Sequence, residues 1–185
     1  MRTKGTTVKA IQNFVKDQYP NQYNDWLANL PPKSQEIMKG AIYATDWYPM
    51  QEGAILPTYH LKMFFDQNSL KAAWQSGRHS ASATLTGVYK IFVKVANPSY
   101  IIKRASKITA TYYENVMVDS GEETKNSVVV TIFKFEEIDK LIEHRIGGWM
   151  ERALELSGCT DVRIRITKAL SKGDSETRYE ISWKL

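Results

Sequence analysis

The sequence is poor in the residues that form covalent and metal-held frameworks. Cys159 is the single cysteine among 185 residues, so an intrachain disulfide and a cysteine-rich zinc site are both excluded. The three histidines stand far apart, at positions 60, 79 and 144, and no HExxH motif occurs. We therefore predict no metal site, and the lone thiol indicates a reducing compartment.

Long apolar runs and long charged runs are also missing. No stretch of about 18 apolar residues is present, and the basic N-terminus lacks the apolar segment of a secretory signal, so we expect a cytoplasmic protein without a membrane span. The net charge of +5 is spread along the chain, with no long run of like charges. A dispersed excess is typical of a solvated surface, so we expect no nucleic-acid partner.

Motifs for common catalytic chemistry are absent as well. The chain has no GxSxG, no Walker A and no GxGxxG sequence. Cys159 follows the C-terminal end of a predicted helix, whereas reactive thiolates are favoured at N-terminal ends. Glu136 and Glu137 fit the start of a helix, where negative charge suits the helix dipole, better than they fit acid–base catalysis. We therefore predict no catalytic residue and a protein that is not an enzyme.

Residues 1–57 have the pattern of a helical segment divided by prolines. The first helix is indicated by apolar residues three and four apart, at Val8, Ile11, Phe14 and Val15. A second short helix stops at Pro31-Pro32, and a third is expected from about Lys33 to about Thr45, with Ala41 and Ile42 inward. The proline- and glycine-containing stretch from Tyr48 to Pro57 indicates a connector.

Residues 58–185 are predicted to add further helices and an antiparallel sheet, and to form one compact domain with residues 1–57. An apolar-rich helix begins near Thr58, and another helix begins near Ser69 and runs on to Asn97-Pro98. This second helix carries a stripe of small residues at Gly77, Ser80, Ala81, Thr84 and Gly87. Small residues three or four apart let another backbone approach closely, so we interpret the stripe as a packing seam. A further helix starts at Pro98.

The last third of the chain predicts a ββαββ unit. Residues 114–118 and 127–135 form a hairpin around a polar turn, and the second strand is central because both of its faces are apolar. A long helix from Glu136 ends before Gly158, which suits a left-handed cap. Two alternating strands follow, with Ile164 opposite Ile181 and Arg165 opposite Glu180. The fold class is therefore α+β: a helical N-terminal part followed by a four-stranded antiparallel sheet.

Aromatic residues are concentrated in the helical part, at Trp47, Tyr48, Tyr59, Phe64, Phe65, Trp74, Tyr89 and Phe92. They exceed what a few short helices need for mutual packing, so they could line an apolar cavity between helices and sheet. Filling of the core is the alternative for each of them. The ligand-binding residues that we predict are Phe64, Phe65, Trp74 and Trp149.

Glycine and aromatic packing positions recur through residues 70–185. They are Gly77-Arg78, Gly87-Val88-Tyr89-Lys90, Asn97-Pro98, Gly148-Trp149-Met150-Glu151, Gly158, Gly173-Asp174 and Tyr179 to Trp183. In this order they resemble the superfamily that unites haem nitric-oxide-binding (H-NOX) domains, 4-vinyl-reductase domains and the small TRAPP trafficking subunits. Within it, the chain is similar to uncharacterised bacterial proteins of about this length, many of them from myxobacteria.

The resemblance implies a helix-over-sheet fold that encloses a small hydrophobic ligand or forms a dimer. H-NOX domains need a proximal histidine on the helix before the sheet, but here that helix reads YIIKRASKITATYY. They also clamp the haem propionates with Tyr-x-Ser-x-Arg, which is missing from the strand VVVTIFKF. We therefore expect no haem and predict no cofactor.

Three hypotheses about function follow. The first is a non-enzymatic domain for sensing or regulation, with a small hydrophobic ligand in an apolar pocket. The second is a protein-interaction and assembly module, a homodimer joined through the helix from Gly77 to Gly87 or bound to another protein. The third is an enzyme of tetrapyrrole metabolism, which only the kinship with vinyl reductases suggests.

Overall fold

The computed structural model describes residues 1–85 and 98–185. Predictions made for Gly87, Tyr89, Phe92 and Asn97 lie outside these residues. The helices are α1 (Gly5–Gln18), α2 (Tyr23–Ala28), α3 (Pro32–Lys39), α4 (Leu56–His60), α5 (Ser69–Leu85), α6 (Pro98–Tyr112) and α7 (Lys140–Leu156). The strands are β1 (Arg2–Lys4), β2 (Trp47–Pro49), β3 (Met117–Thr124), β4 (Ser127–Lys134), β5 (Thr160–Lys168) and β6 (Thr177–Lys184).

The N-terminal region departs from the predicted pattern in two places. The third helix ends at Lys39, because Gly40 adopts an extended backbone with φ −77° and ψ 176°, and the predicted inward Ala41 and Ile42 are not helical. The stretch predicted as a connector instead contains β2, a turn of π-helix at Gln51–Ile55 and α4. β2 pairs with β1, and this pairing joins positions about 45 residues apart, which local patterns do not reveal.

The predicted ββαββ unit is confirmed as a four-stranded antiparallel sheet in the order β3-β4-β6-β5, with β4 central. The predicted polar turn after Val118 is wrong in extent, because β3 continues to Thr124 and only Lys125-Asn126 separates the two strands. β3 lies at the edge of the sheet, where polar residues are tolerated. The long helix starts at Lys140, not at Glu136, because the side chain of Asp139 caps it by accepting from Leu141 N at 2.7 Å.

The strand register matches the sequence prediction. Ile164 lies opposite Ile181, and Arg165 lies opposite Glu180, with Arg165 Nη2 3.1 Å from Glu180 Oε2. Gly158 takes φ +96° after α7, as its position at the end of the helix predicts. The turn from α7 into β5 is therefore a scaffold element that fixes how the helix lies on the sheet.

One continuous core joins the helices to the sheet. It contains residues of α1, residues of α7, and residues of β4 and β6; examples are Val8, Ile11, Phe14, Ile142, Met150, Leu154, Val130, Ile132, Tyr179 and Ile181. Residues 1–57 and 58–185 thus contribute side chains to the same apolar core, and their organisation as one domain stays a prediction. Among the described residues, no helix has the length and apolar character that crossing a membrane would take.

Helices α5 and α7 pack closely because glycines replace side chains at their contact. A Cβ on Gly77 would lie 2.0 Å from the carbonyl oxygen of Arg145, and a Cβ on Gly148 would lie 2.1 Å from that of Trp74. The stripe predicted from the small residues is therefore a packing seam at Gly77. Since α7 of the same chain covers Gly77, this part of the stripe is not free to join a second copy.

Ion pairs hold the same two helices together at their outer edge. Arg78 on α5 binds Glu151 and Glu155 on α7, with Arg78 Nη2 2.8 Å from Glu155 Oε2, and Arg152 Nη1 lies 2.9 Å from the same carboxylate oxygen. Burial by itself raises the pKa of Glu155, but hydrogen bonds from Arg78 and Arg152 outweigh it and hold this pKa below its ordinary value. The folded chain thus stabilises the charged form of Glu155.

Replacing Gly148 by alanine tests the glycine contact. The added methyl group meets backbone, which cannot turn aside, so Gly148→Ala is expected to lower the free energy of unfolding by about 2 kcal/mol. Helix propensity alone would raise it by up to about 1 kcal/mol, so the sign is informative. Urea denaturation measures the change. The control is Gly121→Ala, since a Cβ there meets nothing within 4 Å, and an equal loss in both variants would contradict the contact.

Replacing Glu155 by glutamine tests the ion pairs through pH. Because the pKa of Glu155 is lower in the folded chain, its stabilisation is full above the unfolded-state pKa of about 4.3 and is lost as the pH falls through the folded-state value. We expect Glu155→Gln to be less stable than the wild type by about 1 kcal/mol or less at pH 7 and to converge with it in acid. Unfolding midpoints at pH 7 and pH 3 measure this, and an equal deficit at both would contradict it.

Candidate ligand-binding cavity

A cavity of about 220 Å³ lies between α1, α5, α7 and the chain just after α6. It is smaller than the roughly 300–1,000 Å³ of pockets that hold drug-sized molecules. Its apolar wall includes Ala10 of α1 and Ile146, Trp149 and Met150 of α7. Gly77, at the close contact of α5 and α7, also lines it, so the glycine seam sets the spacing of two cavity walls.

Arg145 brings a buried charge to this cavity. The residue is 5% exposed, and its Nε donates to Ser76 Oγ at 3.3 Å. Its Nη2 is buried and has no hydrogen-bond partner. In the part of the chain that the structure describes, no carboxylate lies within ion-pair distance of Arg145. Burial lowers the pKa of the guanidinium because the charged form loses hydration, and Tyr113 opposes that effect.

Tyr113 lies beside Arg145 but does not neutralise it. The side chains of Arg145 and Thr7 act to lower the pKa of its hydroxyl. Burial is the larger influence and raises the pKa of Tyr113, so the phenol keeps its proton at neutral pH. The positive charge of Arg145 therefore has a polar neighbour and no anionic one among the described residues that line the cavity.

Glu143 is a second buried charged residue on α7, and unlike Arg145 its charged group has several hydrogen-bond partners. It is 1% exposed, yet its carboxylate accepts from the hydroxyl groups of Ser171 and Thr177 and from Ser171 N at 3.3 Å. Its backbone oxygen accepts from Tyr179 Oη at 2.9 Å. Glu143 is thus a saturated structural group that anchors α7 to β6 and the loop before it, and it does not line the cavity.

His79 contributes a second polar atom to the cavity lining. Its Nε2 lies 3.1 Å from Asp17 Oδ2, and its ring packs edge-on against Phe14 with centroids 5.4 Å apart. Its Nδ1 is buried and has no hydrogen-bond partner. With Nε2 turned to Asp17, the remaining nitrogen is available to a bound molecule.

Of the four predicted ligand-binding residues, the cavity is lined by Trp149 alone. Phe64 stacks on Tyr19 at 4.0 Å between ring centroids, and Phe65 stacks on Phe14 at 6.4 Å, so both fill space in the core. Trp74 is held away from the cavity because its Nε1 donates to Glu151 Oε2 at 2.8 Å and its ring covers Gly147. For these three aromatics, packing is the role that the structure shows.

Sequence reasoning missed Arg145, His79 and Tyr113. A signal for Arg145 was present, because it falls three residues after Ile142 and four before Trp149, inside the apolar stripe of α7. A charged residue at such a position is either paired or functional. His79 and Tyr113 gave no comparable signal, since only the tertiary structure brings them to the cavity.

The other candidate groups of the sequence have ordinary surroundings. Cys159 is buried, and burial raises the pKa of its thiol. His144 Nδ1 lies 2.8 Å from Lys140 O on an exposed surface, and burial lowers the pKa of His60. No group of three or more His, Cys, Asp or Glu within the described ranges is placed to hold a metal ion.

The architecture is that of an H-NOX domain. The Fe(II) unliganded H-NOX protein from K. algicida matches with a TM-score of 0.70 and 13% identity over 98% of this chain and 97% of that one. An S. oneidensis H-NOX protein in the Fe(II)NO ligation state matches with a TM-score of 0.74 and 10% identity over 98% and 99%. A point mutant of T. tengcongensis H-NOX gives 0.68 and 11% over 98% of both chains.

At these identities the likeness establishes the fold alone. No family model matches the sequence, and no match was found among curated proteins. The α+β fold class is thereby confirmed, together with its H-NOX-like character. The affiliation with vinyl reductases, TRAPP subunits or myxobacterial proteins stays a prediction.

Replacing Arg145 by methionine tests whether its charge lacks a partner inside the chain. We expect Arg145→Met to raise the free energy of unfolding of the ligand-free protein by about 1 kcal/mol, because a buried charge without a counterion opposes folding. Arg78→Met is the matched control and should lower stability, since it leaves Glu151 without its cation and removes one of the two cations that bind Glu155. Thermal unfolding measures both, and a loss in Arg145→Met as large as in Arg78→Met would contradict the expectation.

Proposed function

We propose that this chain is a non-enzymatic small-molecule-binding domain with a sensing or regulatory role, and that the cavity between α1, α5 and α7 is its binding site. The observation that carries the proposal is the cavity with unpartnered polar atoms on Arg145 and His79 within largely apolar walls. A few placed polar groups in an apolar pocket are typical of small-molecule sites. The H-NOX-like fold supports this, since a neighbouring structure of the same fold is in an Fe(II)NO ligation state and so holds a bound group.

The proposed ligand is not haem. H-NOX domains hold haem through a histidine on the helix that corresponds to α6, and this chain has no histidine between His79 and His144. His79 does not replace it, because its Nε2 faces Asp17. The propionate clamp is also missing from β4. The residues present therefore do not fit haem held in the H-NOX manner.

The absence of catalytic geometry at the cavity supports a binding role rather than an enzymatic one. Among the described residues of the lining, no serine, threonine or tyrosine hydroxyl is paired with His79 as a base, because the free Nδ1 of His79 has no hydrogen-bond partner. The homodimeric interaction module remains the second hypothesis, and the same measurement separates it from the first.

Native mass spectrometry of the freshly purified protein tests the proposal. We expect extra mass that disappears on denaturation, which would identify the class of retained ligand. In Ala10→Phe the new ring fills the cavity, and the extra mass should be lost. Ala28→Phe is the matched control, because Ala28 is exposed at the end of α2, and it should keep the ligand.

The spectrum also reports the number of subunits. A dimer without extra mass, unchanged in Ala10→Phe, would contradict the binding proposal and favour the interaction module. Extra mass retained equally by Ala10→Phe and Ala28→Phe would place the ligand outside this cavity.

A further inference from the structure

We infer that the ligand of this cavity carries a carboxylate group and that Arg145 binds it. The inference rests on the proposed function and specifies the chemical class of the ligand: a small organic monocarboxylate with an apolar body. Four observations carry it, namely the uncompensated charge of Arg145, the free nitrogen on its guanidinium, the charge of the cavity lining and the apolar character of α7.

The first observation is a buried positive charge at the cavity that no carboxylate among the described residues neutralises. Arg78 and Arg152 pair with carboxylates on α7, although both are less buried than Arg145. Among the described residues, the neighbours of Arg145 are the neutral Ser76 and Tyr113. A buried guanidinium without a counterion is costly in free energy. A ligand that brings one negative charge removes this cost when it binds.

The second observation is the geometry of the guanidinium. The Nε group of Arg145 donates to Ser76, whereas the Nη2 group of the same guanidinium has no hydrogen-bond partner. Arg145 also lines the cavity. The planar donors of arginine match the two oxygens of a carboxylate in distance and direction. A carboxylate is favoured over a phosphate dianion, because Arg145 is the one buried cation among the described lining residues and balances one negative charge, whereas Lys9 is exposed.

The third observation is the sign of the charge on the residues that line the cavity. Lys9 and Arg145 both line the cavity, and no Asp or Glu does so among the described residues. Asp17 faces His79 from the side of Nε2 and is largely exposed. An anion therefore meets attraction on entry and at its binding position.

The fourth observation is the wall around the charge. Ile146, Trp149 and Met150 follow Arg145 on α7 and give an apolar surface beside the guanidinium. A ligand bound there places a short alkyl or aromatic body against Trp149 and its carboxylate on Arg145. His79 Nδ1 offers one further hydrogen-bonding position.

Matched acids and amides test this inference by calorimetric titration. The probes are isovalerate against isovaleramide and benzoate against benzamide, which differ in charge and little in shape. We expect at least one acid to bind the wild type about tenfold more tightly than its amide, and Arg145→Met to lose that advantage. Arg152→Met is the control, because Arg152 lies on the same helix without lining the cavity, and it should bind like the wild type.

The outcomes separate the two proposals. Equal affinity for acid and amide, or an acid affinity unchanged in Arg145→Met, overturns the carboxylate inference, and binding lost in Ala10→Phe would still support the cavity as a site. No binding of either acid also overturns the inference, whatever mass the purified protein retains. Inorganic phosphate that competes fully with the acid in an Arg145-dependent manner would replace the carboxylate class with a general anion site.

Discussion

The contact between α5 and α7 is the constraint on which the remaining structure depends. Two glycines, one on each helix, let the backbones meet at distances that no other residue permits. This contact places Arg145 and Trp149 beside α5, lets Arg78 reach the carboxylates of α7, and fixes one side of the cavity. The sheet then holds α7 from its other face through the apolar core and Glu143. A wider spacing would loosen the cavity and the ion pairs together.

Two buried charged residues on α7 have opposite surroundings. Glu143 and Arg145 are two residues apart and both almost inaccessible to water, yet the first has a full set of hydrogen-bond donors and the second has no carboxylate partner among the described residues. Stability alone explains the former and not the latter. Proteins commonly retain such unfavourable features at functional sites, where a ligand compensates them. The asymmetry within α7 is therefore the physical basis of our proposal that the cavity is the binding site.

The sequence was most informative where local rules dominate. The alternation of Val162, Ile164 and Ile166, the cap at Gly158 and the apolar face of α7 led to the correct sheet, register and helix packing. The pairing of β1 with β2 and the extent of β3 could not be predicted, because they depend on distant partners and on an edge position. Of the ligand-binding residues that we predicted, Trp149 lines the candidate cavity. Aromatic content did not distinguish core from cavity, since Phe64, Phe65 and Trp74 satisfy both descriptions equally well before their neighbours are known.

The position of Trp149 bears on the intrinsic fluorescence of the protein. Its indole lines the cavity, whereas Trp26 and Trp183 are sealed in the core and Trp47 lies on the surface under the ammonium group of Lys4, 4.1 Å from the ring centroid. A molecule entering the cavity changes the polarity around one indole and leaves these three in constant surroundings. The intrinsic fluorescence of the purified protein thus contains a reporter of occupancy that needs no dye and no label.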